Sequence, residues 1–99
     1  MFREFTVMES FVVRSRGTVL VGLRASEVRE MVAVGDVVEM VVEGKTVRAR
    51  VAGIEGFMVS PPQDDTPVGI LLAEDIGRVP GGTVVRVMGR RKDSEIFEE

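Results

Sequence analysis

A chain of 99 residues with 44% hydrophobic residues and a net charge of −3 fits one domain, at the small end of what buries an adequate core. It has no cysteine and no histidine, which excludes disulfides and thiol catalysis and removes the usual general base and the commonest metal ligand. No apolar run approaches the roughly 20 residues that cross a bilayer, and the mild acidity lacks the basic excess of a dedicated nucleic-acid binder.

The start of the chain has no signal-peptide pattern, so a cytoplasmic location is expected. Asparagine is absent and Gln63 is the only glutamine, which with 29% charged residues gives a thermophile-like composition.

Twenty valines and closely spaced turn signals set an all-β class, a sandwich or small barrel. In the first strand the alternation puts Phe5, Val7, Glu9, Phe11 and Val13 on one side and Thr6, Met8, Ser10 and Val12 on the other. A turn over Arg14 to Gly17 leads to a second strand, Thr18 to Arg24, where Gly17 can supply a positive φ. Ser26 is a candidate cap for a short helix through Val32, with Glu27 and Glu30 favourably placed in its first turns.

After a turn at Val34 to Asp36, the apolar run Val37, Val38, Met40, Val41 and Val42 predicts a third strand covered on both sides. Glu43-Gly44-Lys45 is a hairpin connection. The strand from Thr46 to Ile54 turns Val47, Ala49 and Val51 inward and Thr46, Arg48 and Arg50 outward. From Gly56 to Pro67 the period is lost, and this longest loop carries Pro61, Pro62, Gln63, Asp64 and Asp65. Val68 to Ala73 is a fifth strand, Glu74 to Gly82 a turn, and Val84, Val85 and Val87 a sixth strand. The barrel is expected over residues 1–89, with a polar tail over residues 90–99.

Arg16-Gly17-Thr18-Val19 followed by Gly22 resembles the "GRGTVxxG" hairpin in the second domain of translational GTPases such as elongation factor Tu. Four further segments are similar in the same order. Val34 to Glu39 resembles "VGDEVEI", Gly53 to Phe57 resembles "GIEMF", and Pro67 to Leu72 resembles "NVGVLL". Arg78 to Val85 is similar to the "ERGxVL" that precedes the family's last strand. The resemblance spans about residues 5 to 88 and implies a closed six-stranded Greek-key-type β-barrel of the translation-protein type. The chain contains no Gly-x-x-x-x-Gly-Lys-Ser/Thr phosphate loop, so no nucleotide is expected.

The resemblance also implies a site. In elongation factor Tu this barrel holds the aminoacyl-adenosine end of charged tRNA. By motif, that pocket falls at Met8, Glu9, Phe11, Glu55, Phe57 and Pro67. Glu9 and Glu55 keep the family's acids, and Phe11 and Phe57 supply an apolar or stacking wall. Met8 stands where the family has a second acid, and Pro67 where it has asparagine. Against this stands the plain alternative of core phenylalanines and solvated glutamates.

The residues themselves point to two other surfaces. Arg14, Arg16, Arg48, Arg50 and Arg86 would contact phosphates if they converge, and otherwise pair with the sixteen acids. Met58, Val59, Pro61 and Pro62 form a stiff apolar stretch that suits a protein partner, or else plug one end of the barrel. Asp64-Asp65 and Glu74-Asp75 read as solvated turns rather than a hard-cation or acid–base site.

The sequence therefore leads to a non-catalytic binding module without cofactor, metal or membrane association. Its expected role is a protein-interaction or structural accessory domain, acting on a protein partner or as a homo-oligomer. The alternative is an RNA- or ribosome-associated module. Arginines gathered on one face would favour RNA, and an exposed apolar patch would favour protein.

Overall fold

β-Branched runs punctuated by glycine turns pair into a single antiparallel sheet. The computed structural model describes residues 3–56 and 66–90. Its strands are β1 (Arg3–Thr6), β2 (Glu9–Val13), β3 (Gly17–Arg24), β4 (Asp36–Val42), β5 (Lys45–Gly56), β6 (Pro67–Leu72) and β7 (Val84–Arg90). One helix, α1 (Ala25–Met31), interrupts them, and no helix among the described residues is long and apolar enough to cross a membrane. The all-β expectation holds. Residues 57–65 of the long loop and residues 91–99 of the tail lie outside the described residues; β7 itself runs on to Arg90.

The strand order is β1-β7-β4-β5-β6-β3-β2, seven strands among the described residues rather than the expected six. No ladder joins β1 to β2 among the described residues, so the hydrogen-bonded sheet is not a closed ring. The extra strand arises because the first expected strand changes partner halfway. β1 pairs with β7, Phe5 opposite Val85, and β2 pairs with β3, Phe11 opposite Val19. At the switch the Val7 N–H donates to the Thr83 carbonyl at 2.8 Å and the Met8 N–H to the Val21 carbonyl at 2.7 Å.

The switch also corrects the expected alternation. Phe5 and Val7 are buried, but Glu9 and Phe11 face outward and Ser10 turns in. Two glycines make room for the crossing backbone. A Cβ on Gly22 would collide with the Thr6 carbonyl oxygen, and one on Gly81 would stand 2.7 Å from the Met8 carbonyl oxygen.

The core lies on one face of the strands. Leu20, Val38, Met40, Val51, Ile70, Leu72, Val85 and Val87 fill it, and Ala25, Val28 and Met31 of α1 pack against it. The strand β4 was expected to be covered on both sides. Instead Val38 and Met40 point into the core while Val41 is 60% exposed, because among the described residues no second layer lies over that side. The inward set Ala49 and Val51 of β5 is as the alternation predicted, with Val47 half-buried. The helix starts at Ala25 rather than after Ser26. The Ala25 N–H donates to the Thr66 carbonyl, and the Glu27 carboxylate accepts from the Arg24 N–H at 2.9 Å, so the turn follows directly from β3.

Two buried hydroxyls hold the connection between β6 and β7 onto β2 and β3. Ser10 Oγ donates to the Val79 carbonyl at 2.8 Å and accepts from the Val79 N–H at 2.6 Å. Thr18 Oγ1 donates to the Gly77 carbonyl and accepts from the Ile76 N–H, both at 3.0 Å. The Thr18 side chain belongs to the glycine-turn motif, and the same motif's Gly17 has φ of 136° and lies against the Leu72 carbonyl oxygen. Asp36, also buried, accepts from the Ala33 N–H at 2.9 Å and fixes the turn into β4.

Two stability outcomes follow. Gly22→Ala should lower unfolding free energy in urea by about 1–3 kcal/mol through its clash. Gly44→Ala, whose only difficulty is a φ of +80°, should cost about 1 kcal/mol, the low end of the cost of a left-handed non-glycine residue. Equal losses would show that the crossing is not tightly packed. Ser10→Ala, which leaves both Val79 backbone groups without their buried partner, should cost about 1–3 kcal/mol by thermal melts.

Candidate functional site

Cross-strand register divides the outward side chains into two faces. The first spans β2, β3, β6 and β5. Register partners Glu9, Val21, Gly69 and Glu55 form one row across it, and Phe11, Val19, Leu71 and Gly53 form the next. Glu9, Phe11 and Glu55, the positions marked by the family resemblance, therefore share a face.

They do not form a carboxylate pair. Three strand spacings of about 4.8 Å separate the Glu9 and Glu55 backbones by roughly 14 Å. Glu55 is instead bonded to the Arg16 guanidinium, which reaches across from the β2–β3 turn. Phe11 is 40% exposed and stands outside the core, contrary to the reading that made it a core residue. Beside it Val19, Val21 and Leu71 are buried although they belong to the outward face. Pro67 is exposed at the start of β6, opposite Arg24. Phe57 and the stretch of Met58, Val59, Pro61 and Pro62 lie outside the described residues.

The second face spans β1, β7, β4 and β5. Glu4 is opposite Arg86, Arg86 opposite Glu39, and Glu39 opposite Arg48, so charge alternates in sign across four adjacent strands. The side chains meet. Arg48 Nε lies 2.8 Å from Glu39 Oε2, Arg86 Nε 3.6 Å from Glu4 Oε2, and Arg86 Nη1 3.9 Å from Glu39 Oε1. Glu39 is the most enclosed member, its side chain 18% exposed between two guanidinium groups. One row away on the same face stand Val41 and Val84, 60% and 50% exposed. A shallow depression of about 390 Å³ is lined by Glu4, Glu39, Met40, Val41, Val84 and Arg86.

The arginines singled out by sequence are thus dispersed. Arg48 and Arg86 sit in the charge row, and Arg16 is on the first face. Arg50 turns outward on β5, one row beyond Arg48, and points Nη1 at the Gly35 carbonyl 3.5 Å away. Arg14 is exposed in the β2–β3 turn. Of the acids weighed as a cation site, Asp64 and Asp65 lie outside the described residues. Glu74 accepts from the Arg50 N–H at 3.2 Å and Asp75 from the Gly77 N–H at 2.9 Å, as turn-forming carboxylates do. Among the described residues no group of three or more acidic side chains could hold a metal ion.

Sequence inspection did not find the alternating row. Glu4, Glu39, Arg48 and Arg86 are scattered along the chain, and their common row exists only in the register. The signal available beforehand was that Glu39 and Arg48 sit at equal distances from the Glu43-Gly44 turn, four residues before Glu43 and four after Gly44. A third feature is a cleft of about 430 Å³ at the partner switch, where Met8, Glu9, Glu43, Arg78 and Pro80 meet. No family model matches the chain, and no curated protein and no solved structure matches it either.

Because both members are about half exposed, a double-mutant cycle with Arg16→Ala and Glu55→Ala should give a coupling of about 0.2–1 kcal/mol. Urea titrations at low and high salt should show that coupling fall towards zero as ionic strength rises.

Proposed function

We propose that this chain is a non-catalytic protein-interaction module. The observation that carries the reading is the charge row: the β1-β7-β4-β5 face sets two arginines against two glutamates, with exposed Val41 and Val84 beside them. Such a face has little net charge to attract a phosphate backbone, and it has the mixed apolar and charged character of a protein contact. Its arginines and those of the first turn do not gather into one basic surface.

For the architecture we favour a barrel of the kind found in the second domain of translational GTPases. The support is that the two strands at the ends of the ladder, β1 and β2, are consecutive in the chain and joined through Val7 and Met8. Met8 N–H already bonds to β3 and Val7 N–H to the segment before β7. Motif order from Arg16 to Val85 supports the same proposal. The family's tRNA-end pocket is a weaker guide, since Glu55 is occupied by Arg16 and Met8 and Pro67 depart from the family pattern. The location we propose is cytoplasmic.

Fluorescence anisotropy with a labelled tRNA and a structured ribosomal RNA fragment separates the two functions. At about 50 mM salt the protein-interaction reading expects no binding tighter than roughly 100 μM, the weak end of nonspecific contact. Micromolar binding that weakens steeply with salt would overturn it. A tagged chain treated with ribonuclease should still retain a specific protein from native extract.

A further inference from the structure

We propose that the β1-β7-β4-β5 face is a dimer interface for a second copy of this chain. The proposal rests on the protein-interaction reading and names the partner.

Its basis is the symmetry of the charge row. Across the strands the order is Glu4 on β1, Arg86 on β7, Glu39 on β4 and Arg48 on β5. An alternating row with an even number of charges is antisymmetric about its midpoint. A twofold axis in the contact plane, running along the strands between β7 and β4, reverses the row in the second copy. It sets Glu4 against Arg48 of the second copy, and Arg86 against Glu39 of the second copy. Both contacts are attractive, and each is made twice, four in all.

The apolar residues obey the same operation. Val84 is two residues before Arg86 on β7, and Val41 two residues after Glu39 on β4, so both stand on the same side of the charge row. The axis sets Val84 against Val41 of the second copy, beside the depression that those two valines line. The half-exposed aliphatic side chains would be covered along the axis beside the central ion pairs, the mixture of apolar and charged contact that protein interfaces carry. A heterologous partner would need this pattern by coincidence; a second copy carries it by construction.

Size sets the affinity. With strands about 4.8 Å apart, β4 and β7 seven residues long and β1 four, at about 3.3 Å per residue, the face offers roughly 400 Å² a side, about half of a standard interface. The aligned packing of two twisted sheets, about 30° apart, leaves the centre in closest contact and the ends within reach of long side chains. The dimer is therefore weak, with a dissociation constant on the order of 10–100 μM.

A charge-swap experiment decides the matter. Sedimentation equilibrium of the whole chain, from about 10 μM to about 1 mM, should show a monomer–dimer equilibrium weakened severalfold by salt. Glu39→Arg and Arg86→Glu each set like charges face to face at the centre and should each weaken self-association at least about tenfold. Mixed in equal amounts, the two variants restore every opposite-sign contact, and the mixture should return to wild-type association. A wild-type chain that stays monomeric throughout, variants that dimerise like wild type, or folded variants whose mixture stays monomeric would each overturn the proposal. If a reversal unfolds the chain, Val41→Lys at an exposed position serves instead: at least about tenfold loss supports the interface, and undiminished dimerisation overturns it. A monomeric chain that still retains a different protein would overturn the dimer and leave the broader functional reading standing.

Discussion

The change of partner at Val7 and Met8 is the constraint on which the rest of this structure depends. A strand can keep one neighbour over its whole length, but this one leaves β7 after Thr6 and joins β3 at Glu9. The crossing backbone keeps its hydrogen bonds, to Thr83 on one side and Val21 on the other, so no buried N–H is stranded. What makes the crossing possible is the lack of side chains at Gly22 and Gly81, where neighbouring backbone comes within the space a Cβ would take. Because β1 and β2 lie at opposite ends of the strand order, this short crossing ties the two ends of the sheet together through the chain itself.

The buried hydroxyls extend the same logic. The residues between β6 and β7 form no strand, yet Val79 is buried and must satisfy its backbone groups. Ser10 serves both of them, and Thr18 does the same for Gly77 and Ile76. A hydroxyl that donates and accepts at once can replace a strand pairing where no strand is available. These contacts cross 58 to 69 residues of sequence.

Charge placement follows from register in the same way. Glu39 approaches Arg48 because the Glu43-Gly44 turn fixes the β4–β5 pairing, a local consequence of a tight hairpin. Arg86 joins them only because β7 returns to pair with β4, and Glu4 because β1 pairs with β7. The arginines that a linear reading groups as one basic set are therefore divided between faces and paired with acids. That division is what separates a protein-contact surface from a phosphate-contact surface here.

Local chemistry in the sequence determined much of the architecture. Valine content set the β class, glycine turns set most strand limits, and the alternation of Val47, Ala49 and Val51 set the buried side of β5. Three matters were settled only by tertiary structure. The split of the first strand reversed the faces of Glu9 and Phe11, the uncovered side of β4 exposed Val41, and the return of β7 assembled the charge row. The physical reason is common to all three. Period and propensity act over a few neighbouring residues, whereas partner exchange, burial and cross-strand pairing depend on which distant backbone occupies the adjacent place.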